Sequence, residues 1–98
     1  MSMKDAYRQK MEAQIEEQRA RLELFKAQAK KVIADGKIMA YEELADADGK
    51  LEAARSKLKE LGGASGAAYE ELRSGVEHAW NDLSAACKRA AGKIKGEP

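Results

Sequence analysis

Apolar residues recur along nearly the whole chain at spacings of three and four, the period that gathers side chains on one face of an α-helix. The clearest run lies in the last third. Tyr69, Leu72, Val76, Ala79, Trp80, Leu83, Cys87, Ala90 and Ile94 fall on one stripe, which predicts a helix over about 66–94. Upstream, Met11, Ile15, Leu22, Phe25, Ala29 and Val32 make a heptad-like seam interrupted by Gln18. Ala40, Leu44, Ala47, Leu51, Ala54, Leu58 and Leu61 make a second seam. Steps of four through Gly36, Ala40 and Leu44 join the two as a stutter, so the pattern predicts one long helix over about 4–61.

Two turn signals test that continuity. Asp35-Gly36 and Asp48-Gly49 both sit within the tetrapeptide Ala-Asp-Gly-Lys, at 34–37 and 47–50. The apolar period runs through both without a loop-like polar cluster, and a glycine inside a helix costs only about 1 kcal/mol against alanine. A continuous helix with a bend near Gly36 is therefore expected, and a repeat this short establishes no repeat architecture. Gly62-Gly63 after Leu61 suits a helix C-terminus, and Ser65 can cap the helix that follows. The tail 95–98 is expected to fray. So short a connection makes the two helices antiparallel neighbours.

The expected fold is all-α: a single domain over 1–98, built as an unequal coiled-coil hairpin. Tyr69, Leu72, Val76, Trp80, Leu83 and Cys87 would pack against Leu44, Leu51 and Leu58. At 1.5 Å rise per residue the arms would be roughly 85–90 Å and 45 Å long, so the second covers about half of the first. Met11, Ile15, Leu22 and Phe25 would then lack a partner within the chain, and a lone helix gains most of its stability by packing such a face. A homo-oligomer follows, most simply an antiparallel dimer joined through the N-terminal halves.

Composition supports the helices. Of 98 residues, 36% are charged and 5% aromatic, with a single Pro, the mix of long helices and coiled coils. Eighteen basic residues face seventeen acidic ones, so no global field draws in nucleic acid or an anionic membrane. The last helix carries Glu70, Glu71, Glu77 and Asp82 early and Lys88, Arg89, Lys93 and Lys95 late, an order that complements the helix dipole. Glu17 with Arg21 and Asp46 with Lys50 add i,i+4 pairs. No segment approaches the roughly 20 apolar residues of a membrane span, and the charged N-terminus lacks the apolar core of a signal peptide. With one Cys and so no internal disulfide, a soluble cytoplasmic protein is expected.

Three constellations bear on chemistry, and each has a simpler structural account. Leu44 to Arg55 aligns Asp46, Asp48 and Gly49 with a calcium-binding loop, but Leu44 and Arg55 stand where carboxylates must complete the oxygen cage. Ser74, His78 and Asp82 line one side of a helix and have the residue types of a hydrolase triad. That side points away from the apolar stripe, where no cleft or oxyanion hole can form. One His and one Cys on opposite faces cannot share a metal within one chain. Cys87 on the stripe acts as a small hydrophobe, and Trp80 supplies buried area. No catalytic residue, cofactor or metal is expected. The last helix, with Trp80 and a basic final turn, also has features of an interfacial helix; mixed charge and abundant Ala weaken that alternative.

Lys4 to Gln14 and Ala68 to Leu83, above all Gly75, Val76, Glu77, Ala79, Trp80 and Leu83, resemble the small bacterial coiled-coil domain-containing proteins of about this length, some labelled stress-response proteins. The resemblance spans nearly the whole chain and implies a continuous first helix and no known active site. Positions 36 and 49, glycines here, are ordinary helix formers in similar members. The function expected is that of a non-enzymatic structural or interaction protein, oligomeric and binding another protein, with weak peripheral lipid contact as the alternative and no nucleic-acid partner.

Overall fold

In the computed structural model, which describes residues 2–33 and 35–95, the chain forms three helices: α1 (Met3–Ala29), α2 (Asp35–Gly62) and α3 (Gly66–Ile94). They pack up, down and up, α3 most extensively against α2, into a bundle of 51 × 21 × 17 Å. The all-α expectation holds, and α3 spans the predicted range. The long first helix does not. It is interrupted after Ala29, and α1 folds back along α2 and α3 instead of projecting beyond them. The unequal two-helix hairpin is thus replaced by three helices of nearly equal length.

The physical reason lies in the seam that the long helix would have left in water. Met11, Ile15 and Leu22 are now 4%, 2% and 1% exposed, and Phe25 packs half-buried against the same core. Burying each large apolar side chain is worth about 1.5–3 kcal/mol, whereas each helical hydrogen bond lost at the break is worth about 1 kcal/mol net. Folding back therefore wins within one chain. The break falls just before the Asp35-Gly36 turn signal, while Asp48-Gly49 lies inside an unbroken α2.

The buried positions keep the predicted spacing. Met11, Ile15, Gln18, Leu22 and Ala29 line α1, and Ala40, Leu44, Ala47, Leu51, Ala54, Leu58 and Leu61 line α2. Tyr69, Val76, Leu83, Ala86, Cys87 and Ala90 line α3, with Leu72, Ala79, Trp80 and Ile94 half-buried at its margins. Fully buried alanines on all three helices let the backbones approach closely. Gln18, expected only to interrupt the seam, occupies a core position with its Oε1 buried and unpartnered.

Helix ends depart from expectation in detail. Gly62-Gly63 does terminate α2, through tight bonds from Gly63 N–H to Glu60 O and from Ala64 N–H to Leu61 O, each 3.2 Å. Ser65 occupies the N-cap of α3, but its hydroxyl makes no capping bond. Gly66 follows at φ +61°, the left-handed region in which an L side chain is strained. Ser2 caps α1, accepting from Asp5 N–H at 3.2 Å. Arg21 reaches Glu17 at 4.0 Å as predicted, whereas Asp46 pairs across to Arg89 of α3 at 3.1 Å rather than with Lys50.

Candidate functional site

The predicted packing residues converge as a set. Leu44, Leu51 and Leu58 meet Tyr69, Leu72, Val76, Trp80, Leu83 and Cys87 in one core, which also takes in Met11, Ile15, Leu22 and Phe25. Of the last four, Met11, Ile15 and Leu22 are buried within their own chain and Phe25 is half-buried. Trp80 and the α3 stripe face inward as well, which removes the surface on which an interfacial α3 would have relied.

The polar groups of α3 are separate from any cleft. His78 is exposed, and its Nδ1 lies 2.8 Å from the Ser74 carbonyl oxygen, to which it donates. Ser74 and Asp82 are exposed beside it. Burial pushes the Cys87 thiol above its usual range, and nearby Arg21 only partly offsets this. A thiol kept protonated is a poor nucleophile. Beside it a small cavity of about 80 Å³ is bounded by Gln18, Phe25 and Ser84. Among the described residues no group of three His, Cys, Asp or Glu side chains converges to hold a metal ion, and no helix is long and apolar enough to cross a membrane.

Two concavities of several hundred Å³ stand out. One, about 420 Å³, lies between α1 and α2 and is lined by Arg8, Glu12, Glu16, Arg55 and the apolar Ile15 and Leu58. Four of its charges pair, Arg8 with Glu12 and Arg55 with Glu16, both at 3.7 Å. Lys59 also lines it and forms no ion pair among the described residues, so the groove keeps a single unbalanced positive charge and no cluster of them.

The second is an open groove of about 540 Å³ at the end of the bundle where α1 stops, α2 begins and α3 stops. Val32, Ile33 and Ile94 line it, with Lys31, Lys93 and Lys95 around them. Ile33 is 83% exposed, and Ile38, in the first turn of α2, is 60% exposed. Lys30 and Lys37 belong to the same end. Among the described residues, these five lysines make no ion pair, and Asp35 is the nearest carboxylate in sequence; Glu97 lies outside the described residues.

Sequence reasoning passed over this end. Lys93 and Lys95 were accounted for by the α3 dipole, and Ile33 and Ile38 sat off both seams without a role. The available signal was that Ile33 and Ile38 flank the Asp35-Gly36 turn out of phase with the core, inside a run holding three lysines. Compared with known proteins, the chain matches no family model, no curated protein and no solved structure.

Proposed function

We propose that the protein is a non-enzymatic interaction protein, a three-helix bundle that holds one apolar, lysine-rich end toward a partner. The observation that carries this is the exposure of Ile33 and Ile38 at the same end as five lysines that make no ion pair among the described residues. Single exposed apolar residues are ordinary on any surface. Two isoleucines beside half-buried Val32 and Ile94, at an end with five lysines and one carboxylate, Asp35, are a patch of the kind that marks contact sites. Membership of the small bacterial coiled-coil proteins, with a cytoplasmic role under stress, belongs to the same proposal and is supported by the α3 pattern around Gly75, Trp80 and Leu83.

Self-association through Met11, Ile15 and Leu22 would require α1 to leave the bundle, so the isolated protein is proposed to be a monomer; light scattering at micromolar concentration checks this. The interaction reading is tested by comparing what the protein and its Ile33→Ser/Ile38→Ser variant retain from soluble and membrane fractions of host cells. Loss of specific retained species in the variant is expected. Identical retention by both would sink it.

A further inference from the structure

We propose that the partner of this end is an anionic lipid bilayer, met end-on, with Ile33 and Ile38 entering the interfacial layer and Lys30, Lys31, Lys37, Lys93 and Lys95 lying among the headgroups. This rests on the interaction reading of that end and names its partner class.

The choice of basic residue is the first support. All six arginines, Arg8, Arg19, Arg21, Arg55, Arg73 and Arg89, lie along the flanks or toward the opposite end and form ion pairs with glutamate or aspartate of the same chain. The five end lysines form none among the described residues, as is true of Lys10, Lys50, Lys59 and Lys88 elsewhere; what sets the end apart is five of them gathered with Asp35 as the nearest carboxylate in the described sequence. Arginine's planar fork suits a fixed carboxylate partner, whereas lysine is a mobile point charge on a flexible stem. Such charges suit a fluid field of headgroups, and their stems can lie along apolar surface while the ammonium stays in water. Each lysine near an anionic leaflet raises affinity about fivefold.

Shape is the second support. The apolar positions sit at the tip of a body 51 Å long and only 21 × 17 Å across, on the α1–α2 connection, the first turn of α2 and the end of α3. A partner helix would need an apolar stripe along a flank, at i, i+3, i+4 and i+7. The outward face of α2 carries Tyr41, 42% exposed, as a further apolar residue and then runs through Glu42, Ala45 and Gly49, so it offers a single turn and not a stripe along the flank. Nor does a second copy of the same end fit, because two lysine rings would repel. Helix dipoles account for part of the lysine excess, since α1 and α3 both finish here. Each contributes only about half a negative charge, and the α2 N-terminus offsets one of them. Dipole balance also offers nothing for exposed Ile33.

The test is co-sedimentation of the full chain with phosphatidylserine–phosphatidylcholine vesicles and with phosphatidylcholine vesicles, over a range of salt. Binding to the anionic vesicles alone is expected, weakening as salt rises. Lys31→Gln/Lys93→Gln/Lys95→Gln should weaken it on the order of a hundredfold. Ile33→Ser/Ile38→Ser should weaken it at least tenfold at matched charge, the scale expected for removing two inserted isoleucines from the interface. Both isoleucines are exposed, so this second variant decides even where the lysine variant melts early. Binding unchanged in both variants, or independent of the isoleucines, would overturn the proposal. So would absence of vesicle binding alongside lysine-dependent binding of polyglutamate; that outcome leaves the interaction reading standing with an acidic protein as partner. Failure of both probes, together with identical retention by wild type and the isoleucine variant, would overturn both readings.

Discussion

The two ends of the bundle are built from the same kinds of elements and are finished in opposite ways. At the end holding the α1 N-terminus and the α2–α3 connection, aromatic rings are capped by cations: Lys4 Nζ lies 4.7 Å from the centre of the Tyr69 ring, and the Arg73 guanidinium 4.7 Å from that of Tyr7. The Tyr7 hydroxyl donates to Glu77 at 3.4 Å, and Leu61 and Tyr69 are buried beneath. Lys4, Arg8 and Arg73 there each have an aromatic face or a carboxylate, whereas Lys59 has neither among the described residues and Met3 is 90% exposed. At the other end Ile33 and Ile38 are 83% and 60% exposed, and the lysines make no ion pair among the described residues. Both ends could have been closed with the same residue types, so the contrast locates the surface available for contact. The open end still contributes to the core through fully buried Ala29, Ala40 and Ala90 and through Ile94, so the contrast lies in its outer surface alone.

The largest expected effect comes from placing one large-to-small change at each end. Tyr69→Ala should cost about 3 kcal/mol of unfolding free energy, because it removes a buried ring and the surface under Lys4. Ile33→Ala at the open end should change stability by less than about 0.5 kcal/mol. Urea titration of both measures this, and equal losses would erase the distinction between the ends. Next in size, Gly66→Ala at the closed end should cost about 1–2 kcal/mol, since φ +61° is strained for any L side chain. A loss near zero would mean that the connection shifts without penalty.

Midway between the ends, Gly49→Ala should raise stability by up to about 1 kcal/mol, because a methyl group there meets nothing within 4 Å and helical backbone entropy improves. Thermal melting checks the sign. The smallest effect separates the ends by pH. Burial raises the Cys87 thiol, toward the open end, above its ordinary value, while burial and then Glu77 raise the Tyr7 phenol at the closed end. Both groups favour the neutral form in the folded state. Their contribution is complete below the unfolded pKa values, about 8.5 for the thiol and about 10 for the phenol, and is lost as pH rises through the folded ones. Melting temperature should therefore fall in two stages on the alkaline side. Cys87→Ala should remove the first stage and Tyr7→Phe the second; one unbroken decline in all three proteins would show that these groups do not govern it.

Much of the core was legible because burial follows helical period. Every α2 position read as a seam residue from Ala40 to Leu61 is buried, and α3 begins and ends where its stripe does. The spacing of Met11, Ile15 and Leu22 shows that these side chains must be covered, and it is equally compatible with cover from another molecule or from the same chain. Period alone says which face of a helix is apolar and is silent on whether the chain reverses to bury it. The open end was illegible for the complementary reason: Ile33 and Ile38 are defined by what fails to cover them, which is settled only once α1 and α3 have found their places.

Ala34-Asp35-Gly36-Lys37 and Ala47-Asp48-Gly49-Lys50 state the division in four residues. The sequence by itself determined three apolar faces, the stop at Gly62-Gly63 and the low cost of a glycine within a helix. It could not separate two identical tetrapeptides. At the second, Ala47 is fully buried between Leu44 and Leu51, and Asp48 takes Lys26 of α1 at 3.1 Å, so packing on both sides holds the helix continuous. At the first, a break lets Met11, Ile15 and Leu22 reach the α2–α3 surface, and the apolar area gained exceeds the hydrogen bonds lost. Only the tertiary structure made that comparison, because both sides of it involve residues far apart in the chain.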